Sequence, residues 1–138
     1  MTKWICGLAA LLLLPLACFG QEQRQHPIDK ALDACIEKNG STAGMVECTD
    51  KAYAAWDKEL NKNYGALMQK LKPRQKEALR LGQLEWIKFR DLEFKFIDSI
   101  YDTLEGTMYI PMRIGTRMDI VKKRALELKE YLDLANEG

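Results

Sequence analysis

Apolar side chains recur every three or four residues through most of this chain, and this helical period is the feature that most restricts its fold. In the clearest stretch, from Leu79 to Leu104, successive positions are four, three, four, four, three, four and three residues apart. This seam comprises Leu79, Gln83, Trp86, Arg90, Phe94, Ile97, Tyr101 and Leu104. The alternation of apolar and polar residues that is typical of half-buried strands is missing after residue 20. The chain is therefore predicted to be all-α.

Start and stop signals divide the pattern into four helices. Pro27 and Pro73 suit the first turn of a helix, and residues 39–42 combine an Asn-Gly helix end with a Ser-Thr cap. Residues 105–115 contain two glycines and a proline, which predicts a loop before a fourth helix that starts near Thr116. The predicted fold is a small helical bundle: a helical hairpin followed by two longer helices, with the third helix at its centre.

The first twenty residues predict an export signal. Lys3 precedes a stretch without charge, residues 4–19, and a small-x-small site ends at Gly20. Its apolar run is shorter than the ~20 residues that span a bilayer, which argues against the alternative of a membrane anchor. A lipoprotein signal with a lipid on Cys18 is a second alternative. The predicted organisation is a cleavable signal peptide over 1–20, a polar leader over 21–26 and one domain over 27–138, located in the periplasm or secreted.

Charge excludes one class of partner. After residue 20 the chain has 20 basic and 20 acidic residues, a net charge of zero. A nucleic-acid-binding protein normally carries a basic surplus, so no nucleic-acid partner is expected for this chain. Membrane contact is expected only through the signal peptide or a lipid on Cys18.

Two cysteines remain after the predicted cleavage, Cys35 and Cys48. They lie on facing helical stripes near the hairpin turn, and an even pair in an oxidising compartment predicts a disulfide. A zinc site is the alternative, but the only histidine, His26, belongs to the predicted mobile leader. No metal or cofactor is expected.

Catalysis has little support in the sequence. A serine or cysteine nucleophile needs a nearby base, usually histidine, and glycine-rich phosphate loops are absent. Carboxylates such as Asp91 and Glu93 are usually solvated when they lie on helices. A non-catalytic binding protein is therefore the expectation.

Gln83 and Arg90 are polar residues within the apolar seam of the third helix, on either side of Trp86. Because a buried unpaired charge is costly, Arg90 is expected to be buried and paired with Asp57 or Asn61 of the second helix. The cluster either fixes helix register or contacts a ligand.

Two segments are candidates for binding a partner protein. Acidic residues dominate positions 91–109, where they form either a solvated face or a patch that steers a cationic partner. The apolar segment 108–114 either folds over the end of the bundle or anchors an interface. The candidate residues are Asp91, Glu93, Asp98, Asp102, Glu105, Met108, Tyr109, Met112 and Arg113.

The order of several motifs resembles one family. The two cysteines are followed by WDKELNKNY at 56–64, which is similar to LDxELNxxY, and by QLEWIKFRD at 83–91, which is similar to QxxWxxxRD. Gly106-Thr107, and Arg124 with Leu128, match a G-[ST] loop and a terminal RxxxL. Together they resemble the LprI-like lysozyme-inhibitor domain. Trp56 replaces the family's usual leucine, and the second cysteine pair of many members is missing.

This resemblance implies an exported, protein-binding helical domain that inhibits lysozyme-type cell-wall hydrolases, with a cationic lysozyme as partner. The alternative is a periplasmic accessory or toxin-immunity protein that binds another protein. The motif residues are interpreted as scaffold: Trp56, Asp57, Leu60, Asn61, Tyr64, Gln83, Trp86 and Arg90.

Overall fold

The computed structural model describes residues 25–137 as four helices joined by short turns. These are α1 (Pro27–Lys38), α2 (Thr42–Lys70), α3 (Pro73–Tyr101) and α4 (Tyr109–Glu137). The described residues contain no strand, so the all-α prediction is confirmed. The predicted signal peptide and residues 21–24 of the predicted leader lie outside the described residues. None of the helices in the 25–137 region is sufficiently long and apolar to cross a bilayer.

A disulfide joins α1 to α2 next to their connecting turn. Cys35 and Cys48 are bonded with 5.7 Å between their Cα atoms, which confirms both the predicted bridge and the hairpin. Ser41 begins α2 by accepting a hydrogen bond from the backbone N–H of Gly44 at 3.1 Å. This cap satisfies one of the N–H groups that have no partner inside the helix.

The core lies between α2 and α4. Its fully buried members are Trp56, Val121, Ala125 and Leu128, and Leu60 and Leu67 extend it along α2. The amide of Asn63, also buried, donates to the carbonyl of Ala125 at 3.0 Å. This bond across the interface fixes the register of the two helices, because an unpaired amide would be costly there.

The third helix is not the central one, contrary to the sequence prediction. It packs against α4 through one side only, where Gln83 and Ile97 are its buried residues. Phe89, Phe96 and Ile100 form a second apolar line on this helix, and all three are exposed. Both sides of α3 are apolar, and the sequence period does not distinguish the side that packs from the side that faces solvent.

The fourth helix starts at Tyr109 rather than near Thr116, so residues 109–115 of the predicted loop form its first turns. Pro111 is compatible with this start because the first four N–H groups of a helix have no intrahelical partner. Thr116 does not act as a cap; its hydroxyl donates to the carbonyl of Met112 one turn earlier, at 3.0 Å.

The assignment of His26 to a mobile leader is also wrong. Its ring nitrogen Nδ1 accepts from the N–H of Ile28 at 3.2 Å, which caps α1. The same ring lies 4.3 Å from the indole of Trp56, centroid to centroid. Asp29 then accepts from Lys122 at 2.8 Å, so the start of α1 is tied to both α2 and α4.

Candidate partner-binding surface

The connection between α3 and α4 forms an exposed corner of the molecule. We define the α3–α4 corner as residues 102–112. Gly106 has a φ of +117°, a conformation that residues with a Cβ rarely adopt, and it lies where the chain reverses direction. The backbone N–H of Tyr109 then donates to the carbonyl of Gly106 at 3.3 Å, and α4 follows directly.

Three side-chain contacts between α3 and α4 hold the base of the corner. Arg117 forms an ion pair with Asp98, and Arg113 forms another with Asp102 at 2.8 Å. The hydroxyls of Tyr101 and Thr116 are hydrogen-bonded at 2.8 Å. Because these contacts lie on successive turns, they restrict the relative movement of the two helix ends.

These ion pairs reduce the negative charge of the acidic segment between residues 91 and 105. Asp91 accepts from Arg90 at 2.7 Å, so three of the five acidic side chains between residues 91 and 105 have an arginine partner within the same chain. Within the described part of the chain, Glu93 and Glu105 form no ion pair. The segment is therefore close to neutral on its surface, although its sequence is acidic.

The tip of the corner is apolar. Met108 is 57% exposed, and Leu104, Ile110 and Met112 are exposed beside it. Tyr109 is half-buried, with its ring against Gly106. Of the apolar residues that the sequence singled out here, Met108 and Met112 are therefore accessible to a partner, whereas Tyr109 contributes mainly to the turn.

A row of aromatic rings and guanidinium groups attaches α3 to the rest of the bundle. Arg90 lies 5.5 Å from the ring of Trp86 and 5.7 Å from that of Phe94. Arg117 lies 5.4 Å from the ring of Phe94, on its α4 side. Such contacts stabilise by about 0.5–1 kcal/mol each at exposed sites.

The predicted pairing of Arg90 with Asp57 or Asn61 is wrong. Arg90 is only partly buried and binds its neighbour Asp91, while Asn61 donates to the Asp57 carboxylate at 3.1 Å within α2. The long arginine side chain lies along the surface over the two rings, so its charge stays near water and needs no buried partner.

Gln83, by contrast, is 9% exposed and has a partner on α4. Arg124 donates to its side-chain carbonyl at 3.0 Å, and the same guanidinium lies 5.9 Å from the ring of Trp86. Sequence reasoning missed the structural roles of Arg124 and Asn63. The signal that identified Gln83 also applies to these two residues. Each is a polar residue at a position where the helical period predicts an apolar one.

Tyr53 of α2 lies at the edge of this row, with its ring 6.5 Å from Phe94. Partial burial raises the pKa of its phenol above the usual value, against the opposing effect of Arg90. The phenol therefore stays protonated and neutral beside the arginines.

The family model described as lysozyme inhibitor LprI matches residues 35–128, most of the chain. The chain belongs to the LprI family. The match starts at the first bridged cysteine and ends at Leu128 in the core, so it includes the disulfide, the α2–α4 core, the row of rings and the α3–α4 corner.

Two further similarities agree with this family fold. The LprI-family chain is 27% identical to an uncharacterised protein of Rhizobium meliloti (strain 1021), over 92% of this chain and 96% of that protein. It is 29% identical to a crystal structure of an uncharacterised protein from Burkholderia thailandensis, with a TM-score of 0.76 over 83% of this chain. Our chain spans 57% of the length of that solved chain.

In this LprI-family structure, most side chains of the motif residues lie in the interfaces between helices. Trp56 and Leu60 belong to the α2–α4 core, and Gln83 with Trp86 attaches α3 to α4. Their positions support the interpretation of these residues as scaffold, and the α3–α4 corner is a candidate surface for a partner because its apolar tip is exposed.

Proposed function

We propose that this protein inhibits lysozyme-type cell-wall hydrolases in the bacterial envelope by binding them through the α3–α4 corner. Membership of the LprI family supports the class of partner. The observation that carries the choice of surface is the exposed apolar tip at Met108, Ile110 and Met112, held by two cross-helix ion pairs.

The corner has the properties that occlusion of a cleft requires. Lysozymes hydrolyse glycosidic bonds between two carboxylates in a groove, so an inhibitor must fill or cover that groove. A tip that is already ordered loses little conformational freedom on binding. Methionine side chains adapt to irregular surfaces and bury a large apolar area. In this mechanism the protein performs no chemistry of its own; it excludes the polysaccharide.

The test is hydrolysis of purified cell wall by a panel of lysozymes, with and without an equimolar amount of the disulfide-intact protein. We expect slower hydrolysis by at least one of them, and a Met108→Asp variant should lose most of this effect because it places a charge in the apolar contact. Leu134→Asp is the matched control, since Leu134 is 67% exposed near the far end of α4.

Unchanged rates for every lysozyme would remove the proposal. If the protein instead retains a different envelope protein, and Met108→Asp abolishes that retention, the corner is a binding surface but the accessory or immunity alternative is correct.

A further inference from the structure

The outer side of α3 is a second apolar surface that the fold of the monomer leaves uncovered. Leu92 is 64% exposed and Phe96 is 60% exposed, the highest fractions among the large apolar residues of this helix. We define the α3 outer face by its exposed apolar residues: Leu81, Leu84, Phe89, Leu92, Phe96 and Ile100. Their exposed area is on the order of 500 Å², at the upper end of what a soluble monomer displays in one patch.

This face is distinct from the side of α3 that packs against α4. Leu92 follows the buried Gln83 by nine residues, a spacing that places the two side chains on opposite sides of a helix. A helix that is apolar on both sides is normally covered on both. The outer face is therefore available to a partner without disturbing the bundle.

The spacing of the outer face is nearly symmetric about its middle. Phe89 and Phe96 lie three and four residues on either side of Leu92. Two copies of α3 that run antiparallel would therefore bring Phe89 of one copy opposite Phe96 of the other.

The charge pattern favours the same orientation. Ion pairs neutralise most charges along α3, but Lys72, Arg74 and Lys76 at its start form none within residues 25–137, and neither does Glu105 just after its end. Antiparallel pairing directs the basic start of each α3 toward the end of the other copy, where Glu105 lies. Parallel pairing would place like charges together, which disfavours association.

We propose that two copies of this protein associate through the α3 outer face, antiparallel and with a two-fold axis near Leu92. Both copies use the same patch, as a closed two-fold interface requires. With its polar rim, the patch approaches the roughly 800 Å² per partner of a standard interface. Because the axis lies near Leu92, ten residues before the first corner residue, the two α3–α4 corners begin roughly 30 Å apart along the helices, and no corner residue belongs to the patch.

The test is the mass of the purified, disulfide-intact protein by sedimentation equilibrium over a wide concentration range. We expect a dimer that Leu92→Asp converts to a monomer, whereas Leu134→Asp on α4 leaves the dimer intact. Both residues are exposed, so unchanged helicity and melting of the diluted variants verify that they fold. A monomeric mass at every concentration overturns the proposal.

Cysteine cross-linking tests the orientation. Under mild oxidation Leu92→Cys should link to itself across the axis, whereas Phe89→Cys should link only when mixed with Phe96→Cys. Self-linking of Phe89→Cys without mixed linking would indicate parallel pairing and contradict the proposal.

The lysozyme assay separates this inference from the proposed function. Leu92→Asp should retain inhibition per chain, because the corner is untouched. If the wild-type protein is monomeric and Leu92→Asp loses inhibition, the outer face binds the hydrolase rather than a second copy.

Discussion

Arg124 of α4 contacts three side chains, two of which lie on α3. Its guanidinium donates to the buried Gln83 and to Glu127, and it lies 5.9 Å from the ring of Trp86. Without Arg124, the side-chain carbonyl of Gln83 would be buried without a donor. No other hydrogen bond would then compensate for the hydration that this group loses on folding.

We predict that Arg124→Ala lowers the free energy of unfolding by about 1–3 kcal/mol, measured by urea denaturation. Glu127→Ala is the matched control, since it removes the more exposed partner of Arg124 together with an exposed bond from Tyr131, and it should cost at most about 1 kcal/mol. Equal losses in the two variants would mean that the surface ion pair, and not the bond to Gln83, accounts for the contribution of Arg124 to the free energy of unfolding.

For single residues, the sequence predicted which side chains pack between helices better than it predicted the partners of those side chains. The helical period placed Gln83 and Trp86 correctly on the side of α3 that packs, and the family motif identified Trp56, which lies in the core, as scaffold. It did not reveal that Arg90 extends along the surface to Asp91, because the path of a long side chain depends on the rings beside it. The ion pairs of Asp98 and Asp102 were missed because their partners lie on α4, and one of these partners, Arg113, lies in a segment that was expected to be a loop.

Among the elements, α1 depends most on the disulfide. It has 12 residues and contributes no fully buried side chain, whereas α2 and α4 provide most of the core. The bridge between Cys35 and Cys48 closes a short segment, with a separation of 13 residues, and thereby limits the freedom of the unfolded hairpin.

Replacing both cysteines by alanine should therefore lower the free energy of unfolding by about 2–4 kcal/mol. We expect the loss of order to be local, because the α2–α4 core does not include α1. Amide hydrogen exchange followed by mass spectrometry should show faster exchange in Pro27–Lys38 and near-native protection in the core residues of α2 and α4. Full protection of α1 in the variant would show that the contacts of His26 and Asp29 are sufficient on their own.

The helix starts, and the position of each helix in the bundle, were only partly predictable from the sequence. Three of the four helix starts carried a recognisable signal at Pro27, Ser41 and Pro73. The start of α4 carried a misleading one, because Pro111 breaks a helix in its interior but not in its first turn. The central position of α4 was not visible either, since α3 has the stronger apolar pattern but exposes half of it.

For the whole molecule, the distribution of charge determines how a partner is recognised. Residues 21–138 carry no net charge, and the acidic residues beside the α3–α4 corner are mostly paired with arginines. Long-range attraction of a basic lysozyme should therefore be weak, even though residues 91–109 are acidic in sequence. If the corner binds a lysozyme, burial of its apolar tip should supply most of the affinity.

This reasoning gives a prediction about salt. Raising the ionic strength from about 0.1 M to about 1 M shortens the screening length from ~10 Å to ~3 Å, which suppresses attraction between exposed charges. We expect the rate of association with an inhibited lysozyme, measured by surface plasmon resonance, to fall less than about threefold over this range. Glu105→Lys, which reverses the nearest unpaired acid, should change that rate equally little. An association rate that falls tenfold or more would instead mean that the acidic side chains steer the partner, and that their ion pairs with Arg113 and Arg117 open when it approaches.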